Sequence, residues 1–241
     1  MSERYFVEQP IAGPHATLLA SEAHHLAHVM RGKPGQQVTI FDGRGGEYTA
    51  EIARVGRAEI ELSVLSHQAI ERELPIRVAI GVSLPKGDRQ RWLVEKLVEL
   101  GVSEFVPLVA ARGVAQPTGG TLERLRRAVI EAAKQCGRNR LMQVAEPHSF
   151  DDFVRSATPE SLRLLAHPRS AAALRDFLRN TSVVPEAGLA CAVGPEGGFT
   201  DDEIARAIAA GWTALDLGAR ILRVETAAAV FATAAGLLAR G

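Results

Sequence analysis

The stretch VGPEGGFTDDE, residues 193–203, decides how the second half of the chain is interpreted. It places glycines and one acid between an apolar run, LACAV (189–193), and a sequence typical of a helix start. Thr200 followed by Glu203 is the pattern of a capping box, so we expect a helix to begin there. The preceding glycines allow the backbone to approach a ligand closely. The stretch therefore predicts a strand, a glycine-rich loop and a helix in succession.

Apolar runs alternate with helical patterns on both sides of this loop. The expected strands are IRVAIGVSL (76–84), EFVPLV (104–109), LRLLA (162–166), LACAV and TALDL (213–217). The expected helices are DRQRWLVEKLVELG (88–101), TLERLRRAVIEAAKQCG (121–137, capped by Thr121), SAAALRDFL (170–178), DEIARAIAAG (202–211) and ETAAAVFATAAGLLAR (225–240). Gly101 and Gly137 supply helix stops. The alternation predicts an α/β fold with a parallel sheet covered on both faces. The last helix is apolar nearly all round, which predicts that it is buried, if necessary against another subunit.

The first part of the chain has a different pattern. Short β-prone runs, RYFV (4–7), QQVTIFD (36–42), GEYTAEIARV (46–55) and AEIELSVL (58–65), are broken by turn residues. They predict a small β-rich barrel or sandwich with one helical insert, SEAHHLAHVMR (21–31), capped by Ser21. A charged stretch at 71–75 reads as a linker. We therefore expect domains at 1–72 and 73–241.

Composition excludes several classes of protein. The formal net charge is zero, so a nucleic-acid partner has to be met by a local patch, and basic residues outnumber acids between Arg112 and Arg140. Cys136 and Cys191 lie far apart without metal or redox spacing, which indicates two reduced thiols. No apolar run approaches the roughly 20 residues of a membrane span, and the N-terminus lacks the apolar core of a signal peptide. A cytosolic protein is expected.

A second glycine loop, GARILRVETAA (218–228), also follows a predicted strand. In a parallel α/β sheet, ligands bind where loops leave the carboxyl ends of the strands, so two such loops can close over one flat ligand. The loop at 193–203 lacks the lysine–serine/threonine pair of a P-loop, and Glu196 would repel phosphate. This favours a ligand that is neutral or positively charged, although a purely structural turn remains an alternative for 193–203. For Ile221 and Leu222 we expect core packing of the side chains and ligand contact by the backbone.

Several motifs in order resemble one known family. KGDRQRWLVEKLVELGV (86–102), EAAKQCGR (131–138), VGPEGGF (193–199) and LGARILRVETA (217–227), with RYFV and HHLAHVMR (24–31) near the N-terminus, are similar to the 16S ribosomal RNA uridine-N3 methyltransferases of the RsmE family, in the SPOUT superfamily. Met30, where leucine is expected, is a conservative difference. The resemblance covers nearly the whole chain.

The resemblance implies a fold and a cofactor that periodicity alone does not suggest. It implies a PUA-like β-barrel for RNA, followed by an α/β SPOUT methyltransferase domain with a C-terminal trefoil knot and pairing of two subunits through the knot. It also implies that the knot loops bind S-adenosylmethionine (SAM), with Glu196 facing the cationic end of the cofactor or holding the loop. The implied cofactor-binding residues are Ala166, His167, Val193, Gly194, Pro195, Glu196, Gly197, Gly198, Leu217, Gly218, Ile221, Leu222, Arg223, Thr226 and Ala227.

Methylation of uridine N3 sets requirements for further residues. The N3 proton has to leave, so we expect a base or a cation that stabilises charge on the uracil, with Glu225 and Arg223 as candidates and an ordinary intra-loop ion pair as the alternative. The target base has to be unpaired or flipped, and the ribosomal RNA needs phosphate contacts. The candidates for these contacts are Arg4, Arg31, Lys86, Arg89, Arg91, Arg124, Arg127, Arg138 and Arg140, to which Arg126 adds charge. We assign no metal to the histidine-rich stretch His24, His25 and His28.

Two other functions remain open at this point. One is a ribose 2′-O-methyltransferase of the same superfamily, whose nucleophile is a hydroxyl. The other is a non-catalytic ribosome-assembly factor that binds RNA and uses the knot only for dimerisation. Intact glycine loops argue against the second, since a pure interaction protein has no need of a deep cofactor pocket.

Overall fold

The computed structural model describes residues 4–115, 117–168, 170–181 and 186–239. The chain divides into two compact units, Met1–Glu73 with Ile130–Leu141 and Leu74–Val129 with Met142–Gly241. The predicted boundary at 72/73 lies beside this division. The segment 130–141, which the sequence analysis placed in the second domain, instead clusters with the first unit. No helix in the described part of the chain is both long and apolar enough to span a membrane.

The first unit is built on one mixed five-stranded sheet with the order β1-β3-β4-β5-β2. Its strands are β1 (Arg4–Phe6), β2 (His15–Leu19), β3 (Gln37–Phe41), β4 (Glu47–Val55) and β5 (Glu59–Gln68). Only β1 and β3 pair in parallel. The alternating apolar residues form the core of the unit, among them Tyr5, Leu18, Ile40, Ile52 and Ile60. The predicted β-rich unit is confirmed, and β2 is an additional strand.

The helical insert of the first unit begins differently from the prediction. Helix α1 (Ala20–His24) continues directly into a π-helical turn, His25–Val29. The residue at the N-cap position is Leu19, and no side chain makes a cap hydrogen bond there, so the predicted Ser21 cap is wrong. The chain turns sharply out of β2 into this helix, with Ala20 at φ 47°. That turn leaves Ser21 already inside the helix.

The second unit contains an all-parallel sheet with the order β12-β10-β11-β6-β7-β8, and β9 also pairs with β7. The strands are β6 (Val78–Val82), β7 (Glu104–Val109), β8 (Gln143–Val144), β9 (His148–Ser149), β10 (Leu162–Ala166), β11 (Leu189–Val193) and β12 (Thr213–Leu215). The helices are α2 (Arg89–Glu99), α3 (Gly119–Cys136), α4 (Phe150–Ser156), α5 (Leu174–Asn180), α6 (Asp201–Ala209) and α7 (Val224–Leu238), and the part of α3 from Ile130 onward clusters with the first unit. The predicted parallel α/β domain is confirmed.

The helix boundaries follow local capping chemistry. The predicted capping box of α6 is present, because Thr200 and Glu203 bond reciprocally. Helix α3 begins before Thr121: the Thr118 hydroxyl accepts the backbone N–H of Thr121 at 3.3 Å, so Thr118 takes the predicted capping role. Gly101 and Gly137 have φ values of 83° and 81°, which confirms both predicted stops.

Both flanks of the connection between β10 and α5 are hydrogen-bonded to a later segment of the chain. The Leu215 carbonyl accepts the N–H of His167 (3.0 Å), while the Asp216 N–H donates to the Ala172 carbonyl (2.8 Å) and the Asp216 carbonyl accepts from Leu174 (2.9 Å). Residues 215 and 216 therefore lie between the two ends of the β10–α5 connection and bond to both. This arrangement is what threading of the C-terminal segment requires.

Helix α7 is buried on one face only. It packs against α2, β6 and β11, with Phe231, Ala228 and Ala232 fully or almost fully enclosed. Leu237, by contrast, is 63% exposed. Packing within the unit thus buries one face of this apolar helix, whereas the opposite face is exposed.

Candidate functional site

A cavity of about 620 Å³ opens beside the carboxyl ends of the neighbouring strands β12, β10 and β11. Parallel α/β sheets bind ligands at this edge, and the volume is in the usual range of small-molecule sites. The wall consists largely of the two glycine loops. It is lined by Arg89, Ala166, His167, Pro168, Val193, Gly194, Pro195, Glu196, Gly198, Asp216, Leu217, Arg220, Ile221, Leu222, Arg223, Val224 and Ala227.

The first glycine loop closes in a tight turn directly after β11. The Gly198 N–H donates to the Pro195 carbonyl at 2.8 Å, and Gly198 has a φ of 70°, which L side chains rarely adopt. A Cβ at Gly194 would lie 3.0 Å from the ring of Phe199. Phe199 is itself buried and packs on Phe150 with ring centroids 4.3 Å apart. The cavity wall at Gly194 is therefore backbone backed by a fixed aromatic ring.

The turn that follows β7 holds this loop in place. Arg112 donates from Nη1 to the Gly197 carbonyl at 2.9 Å. The buried Glu203 carboxylate accepts the N–H of Ala111 through Oε1 at 2.9 Å and the N–H of Thr200 through Oε2 at 2.7 Å. The capping box of α6 thus also connects the glycine loop to a different strand end, which makes the loop a preorganised wall.

The second glycine loop starts with a turn on Asp216 and presents apolar side chains. Asp216 Oδ1 accepts the N–H of Gly218 at 2.8 Å, and Gly218 has a φ of 134°. Ile221 is 76% exposed and Leu222 is half-buried, and both line the cavity. The prediction of core packing for the Ile221 side chain is therefore wrong, since its side chain belongs to the cavity surface.

Arg89 brings two carboxylates together at the cavity wall. It donates from Nη2 to Glu196 Oε1 at 2.8 Å, and its Nη1 lies 3.7 Å from Glu225 Oε2. The hydrogen bond from Arg89 holds the pKa of Glu196 below its usual value, with Lys86 and Arg223 adding to the effect, and Glu196 in turn raises the pKa of Arg89. Glu196 is therefore an anion at neutral pH and already carries a cationic partner.

The predicted catalytic pair occupies different environments. Arg223 is exposed and lines the cavity. Glu225 is only 6% exposed and does not line the cavity, and its carboxylate forms an ion pair with Arg89. The alternative of an ion pair between Arg223 and Glu225 does not occur among the described contacts, because Glu225 turns inward toward α2. Sequence spacing put Arg223 and Glu225 in one loop but did not predict that they separate.

Most of the predicted cofactor residues line the cavity. Those that do are Ala166, His167, Val193, Gly194, Pro195, Glu196, Gly198, Leu217, Ile221, Leu222, Arg223 and Ala227. Gly197 and Gly218 lie in the glycine loops and Thr226 lies in the first turn of α7, and none of the three lines the cavity. Pro168, Asp216, Arg220 and Val224 were not predicted, although each is adjacent to a predicted residue. Arg89, which was predicted to contact RNA, was not predicted to line the cavity, and it reaches the cavity from an element far earlier in the sequence.

The residues predicted to bind RNA fall into two groups. Arg31, Lys86, Arg91, Arg124, Arg127 and Arg140 are exposed, and Arg89 is half-buried at the cavity. Arg138 is 4% exposed and forms a bidentate ion pair with Glu73 inside the first unit. Arg4 is largely covered, pairing with Glu47 and donating to Asn139 at 2.5 Å. Because Arg138 is buried, it is not available for the predicted contact with an RNA phosphate. Arg138 and Arg4 instead form ion pairs within the first unit.

The cavity combines uncharged surface with charged groups of both signs, three arginines and two acids. Backbone, proline and aliphatic groups form much of its surface, while charged groups collect at the wall formed by Arg89 and Glu196. Within the described ranges, no group of three or more histidine, cysteine, aspartate or glutamate side chains is placed to hold a metal ion. The backbone of the two glycine loops and the aliphatic side chains of Ile221 and Leu222 are available for contact with an organic ligand.

Comparison with known proteins identifies this architecture. Residues 72–236 match the family model for an RNA methyltransferase domain, and residues 18–65 match that for an RNA methyltransferase PUA domain. Ribosomal RNA small subunit methyltransferase E of Synechocystis is 37% identical over 89% of this chain and 70% of its own length. The protein of the same name from Bacillus subtilis is 33% identical over 93% of this chain and 92% of its own.

Solved structures give the same result. A putative methyltransferase of Legionella pneumophila with bound SAM superposes with a TM-score of 0.89 at 30% identity, covering 100% of this chain and 98% of that one. Ribosomal RNA small subunit methyltransferase E of Neisseria gonorrhoeae, also bound to SAM, has a TM-score of 0.87 at 30% identity, covering 97% and 96%. Fold and cavity together define the class of RNA methyltransferases that carry a PUA domain. Within that class, the chain belongs to the ribosomal RNA small subunit methyltransferase E family.

Proposed function

We propose that this protein transfers a methyl group from SAM to N3 of a uridine in the 16S ribosomal RNA of the small ribosomal subunit. The observation that carries the proposal is the cavity walled by two glycine loops at the threaded strand ends, in a chain that superposes on SAM-bound relatives at TM-scores of 0.89 and 0.87. An enzyme with this substrate works where ribosomes assemble, so we expect it in the cytoplasm.

The residues of the cavity suit the proposed cofactor. SAM supplies a methyl carbon that its sulfonium already activates, so the protein mainly has to align the nucleophile and exclude water. The backbone around Gly194 and at 217–222 is placed to recognise the adenine, and Ile221 and Leu222 offer apolar contact. Glu196 offers a negative charge to the sulfonium or ammonium group of SAM. Its carboxylate accepts a hydrogen bond from Arg89 in this structure, and that bond has to shift when the cofactor binds.

Arg223 is the residue we assign to the chemistry on the uracil. Loss of the N3 proton leaves negative charge on the carbonyl oxygens, and a guanidinium beside them stabilises that charge. Arg223 is exposed, lines the cavity and directly precedes α7, which supports this assignment. Glu225, the predicted base, lies behind this surface, and we assign it a structural role toward Arg89 in place of proton transfer.

Exposed basic residues are proposed to hold the RNA. Lys86, Arg91, Arg124 and Arg127 in the second unit and Arg31 and Arg140 in the first are exposed cations on a chain of zero net charge. Each phosphate contact releases counterions, so neutralising one of them weakens binding and reduces the dependence of affinity on salt. Titration of labelled RNA at several salt concentrations measures both effects.

The outward face of α7 is the proposed surface for a second copy of the chain. Leu237 is 63% exposed at the end of a helix that carries almost no charge. Burying this face in a symmetric pair would remove apolar surface from water. We expect sedimentation to give a dimer, and Leu237→Glu to shift the population toward monomer. A wild-type protein that stays monomeric at micromolar concentration contradicts this proposal.

Transfer of labelled methyl from SAM tests the proposed reaction. The acceptors are small ribosomal subunits purified from cells that lack this enzyme, with fully modified subunits as the control. We expect label in the RNA of the first and none in the second, because the target atom of the second is already occupied. If the cofactor binds and neither substrate gains label, the proposed transfer is wrong.

A further inference from the structure

Arg89 joins three distant segments of the chain at one wall of the cavity. It opens α2, whose first turn contains no acid; Glu196 lies in the first glycine loop, and Glu225 lies in the first turn of α7. The two ion pairs have nitrogen–oxygen distances of 2.8 Å and 3.7 Å. All three segments border the cavity, and this guanidinium links them there.

The two carboxylates depend on Arg89 to different degrees. The side chain of Glu196 is 62% exposed, so water can replace its partner, and exposed ion pairs contribute little. Glu225 is 6% exposed, and its Oε2 accepts no hydrogen bond within the described part of the chain. A buried carboxylate that loses its counter-charge is strongly destabilising. The main role of Arg89 is therefore to neutralise Glu225.

The position of Arg223 depends on the same ion pair. Val224 and Ala227, on either side of Glu225, both line the cavity, and Arg223 directly precedes the helix. In the described part of the chain, no side-chain hydrogen bond caps this end of α7, so the ion pair of Glu225 with Arg89 anchors its first turn. A shift of that turn would move the Arg223 guanidinium, and small misplacements of reacting groups have large effects on rate.

We propose that Arg89 is a positioning residue, which through the buried Glu225 fixes the first turn of α7 and thereby holds Arg223 in its catalytic orientation. This role replaces the RNA phosphate contact that sequence analysis predicted for Arg89, and it rests on the methyl transfer proposed above. The two roles differ in what they control. A phosphate contact governs RNA affinity and its salt dependence, whereas a positioning contact governs kcat.

A double-mutant cycle with Arg89→Met, Glu225→Gln and the double variant tests the inference. We expect Arg89→Met to lower kcat about tenfold to a hundredfold, while the KM for RNA and its salt dependence change less than about twofold. The denaturation midpoint of the cofactor-free protein should fall in Arg89→Met and recover in the double variant, because glutamine leaves no unpaired buried charge. Arg89→Lys should retain intermediate kcat, since it keeps the charge without the planar fork.

Arg91→Met is the matched control, because Arg91 is exposed on the same helix and pairs with Glu95. It should leave the denaturation midpoint unchanged and reduce the salt dependence of RNA binding. The inference is overturned if Arg89→Met raises the RNA KM at constant kcat, as a phosphate contact would, or if the double variant is no more stable than Arg89→Met. If the wild type transfers no methyl at all, the proposed function fails, while the stability cycle still decides whether Arg89 and Glu225 are coupled.

Discussion

Gly194→Val is expected to weaken SAM binding at least a hundredfold, which corresponds to about 2.7 kcal/mol. A Cβ at this position lies 3.0 Å from the Phe199 ring and 3.1 Å from the Phe199 backbone nitrogen. Phe199 is buried against Phe150 and cannot move away without opening the core. The added side chain therefore has to displace the glycine loop or fill the cavity. Calorimetric titration of the purified protein with SAM measures the change.

Gly197→Ala is the matched control in the same loop. A Cβ there meets only Arg112, at 3.5 Å, which is an ordinary contact, and Gly197 does not line the cavity. We expect its affinity for SAM to stay within about threefold of the wild type. The thermal midpoint of both variants without cofactor separates loss of binding from loss of folding. Wild-type affinity in Gly194→Val would contradict the assignment of this loop as the cofactor wall.

Arg223→Ala is expected to lower kcat about a hundredfold or more, with the affinity for SAM changed little. The reason is that the guanidinium is proposed to act on charge that develops on the uracil during the reaction, so its loss affects the transition state more than ground-state binding. Single-turnover methyl transfer at saturating cofactor and RNA gives the rate. Binding of SAM is measured separately by titration.

Two further variants define this effect. Arg223→Lys keeps the positive charge and should recover part of the rate, although a point charge replaces the planar fork. Arg175→Ala removes an exposed arginine of α5 that pairs with Asp176 outside the cavity, and it should have wild-type kinetics. An unchanged kcat in Arg223→Ala would exclude Arg223 from the chemistry. A loss of SAM affinity equal to the loss of rate would make it a cofactor ligand instead.

Three strands of the second unit were predictable because their local sequence is enough to indicate a strand. EFVPLV, LRLLA and LACAV are short, largely apolar runs between helical patterns, and each forms a strand with the predicted bounds. The Thr200–Glu203 capping box was predictable from two residues, since its partners are three positions apart. Local chemistry of this kind fixes elements and their ends.

Long-range contacts were not predictable from local patterns. Among the elements that the sequence analysis did not predict are α4, with seven residues, and β2, with five. Arg138 resembles any exposed basic residue until Glu73, far away in sequence, is placed beside it. The threading at Leu215 and Asp216 leaves no trace in periodicity, and only the resemblance to a family suggested it.

The residues of the cavity likewise divide into those that local sequence predicted and those whose position depends on long-range packing. Its glycine loops were evident from composition at the ends of predicted strands, and most of the residues in them line it. The inward turn of Glu225 toward Arg89 depends on how α2 and α7 pack, which the sequence does not state. The exposure of Ile221 was missed because an isoleucine beside a strand is most often in the core.

Nucleoside analysis of the labelled product is the most direct test of the central claim. Small subunits labelled by this enzyme from SAM would be digested to nucleosides, separated and compared with authentic standards. The account predicts that the label is in 3-methyluridine. Label in a 2′-O-methylated nucleoside, or in any base other than uracil, would contradict it.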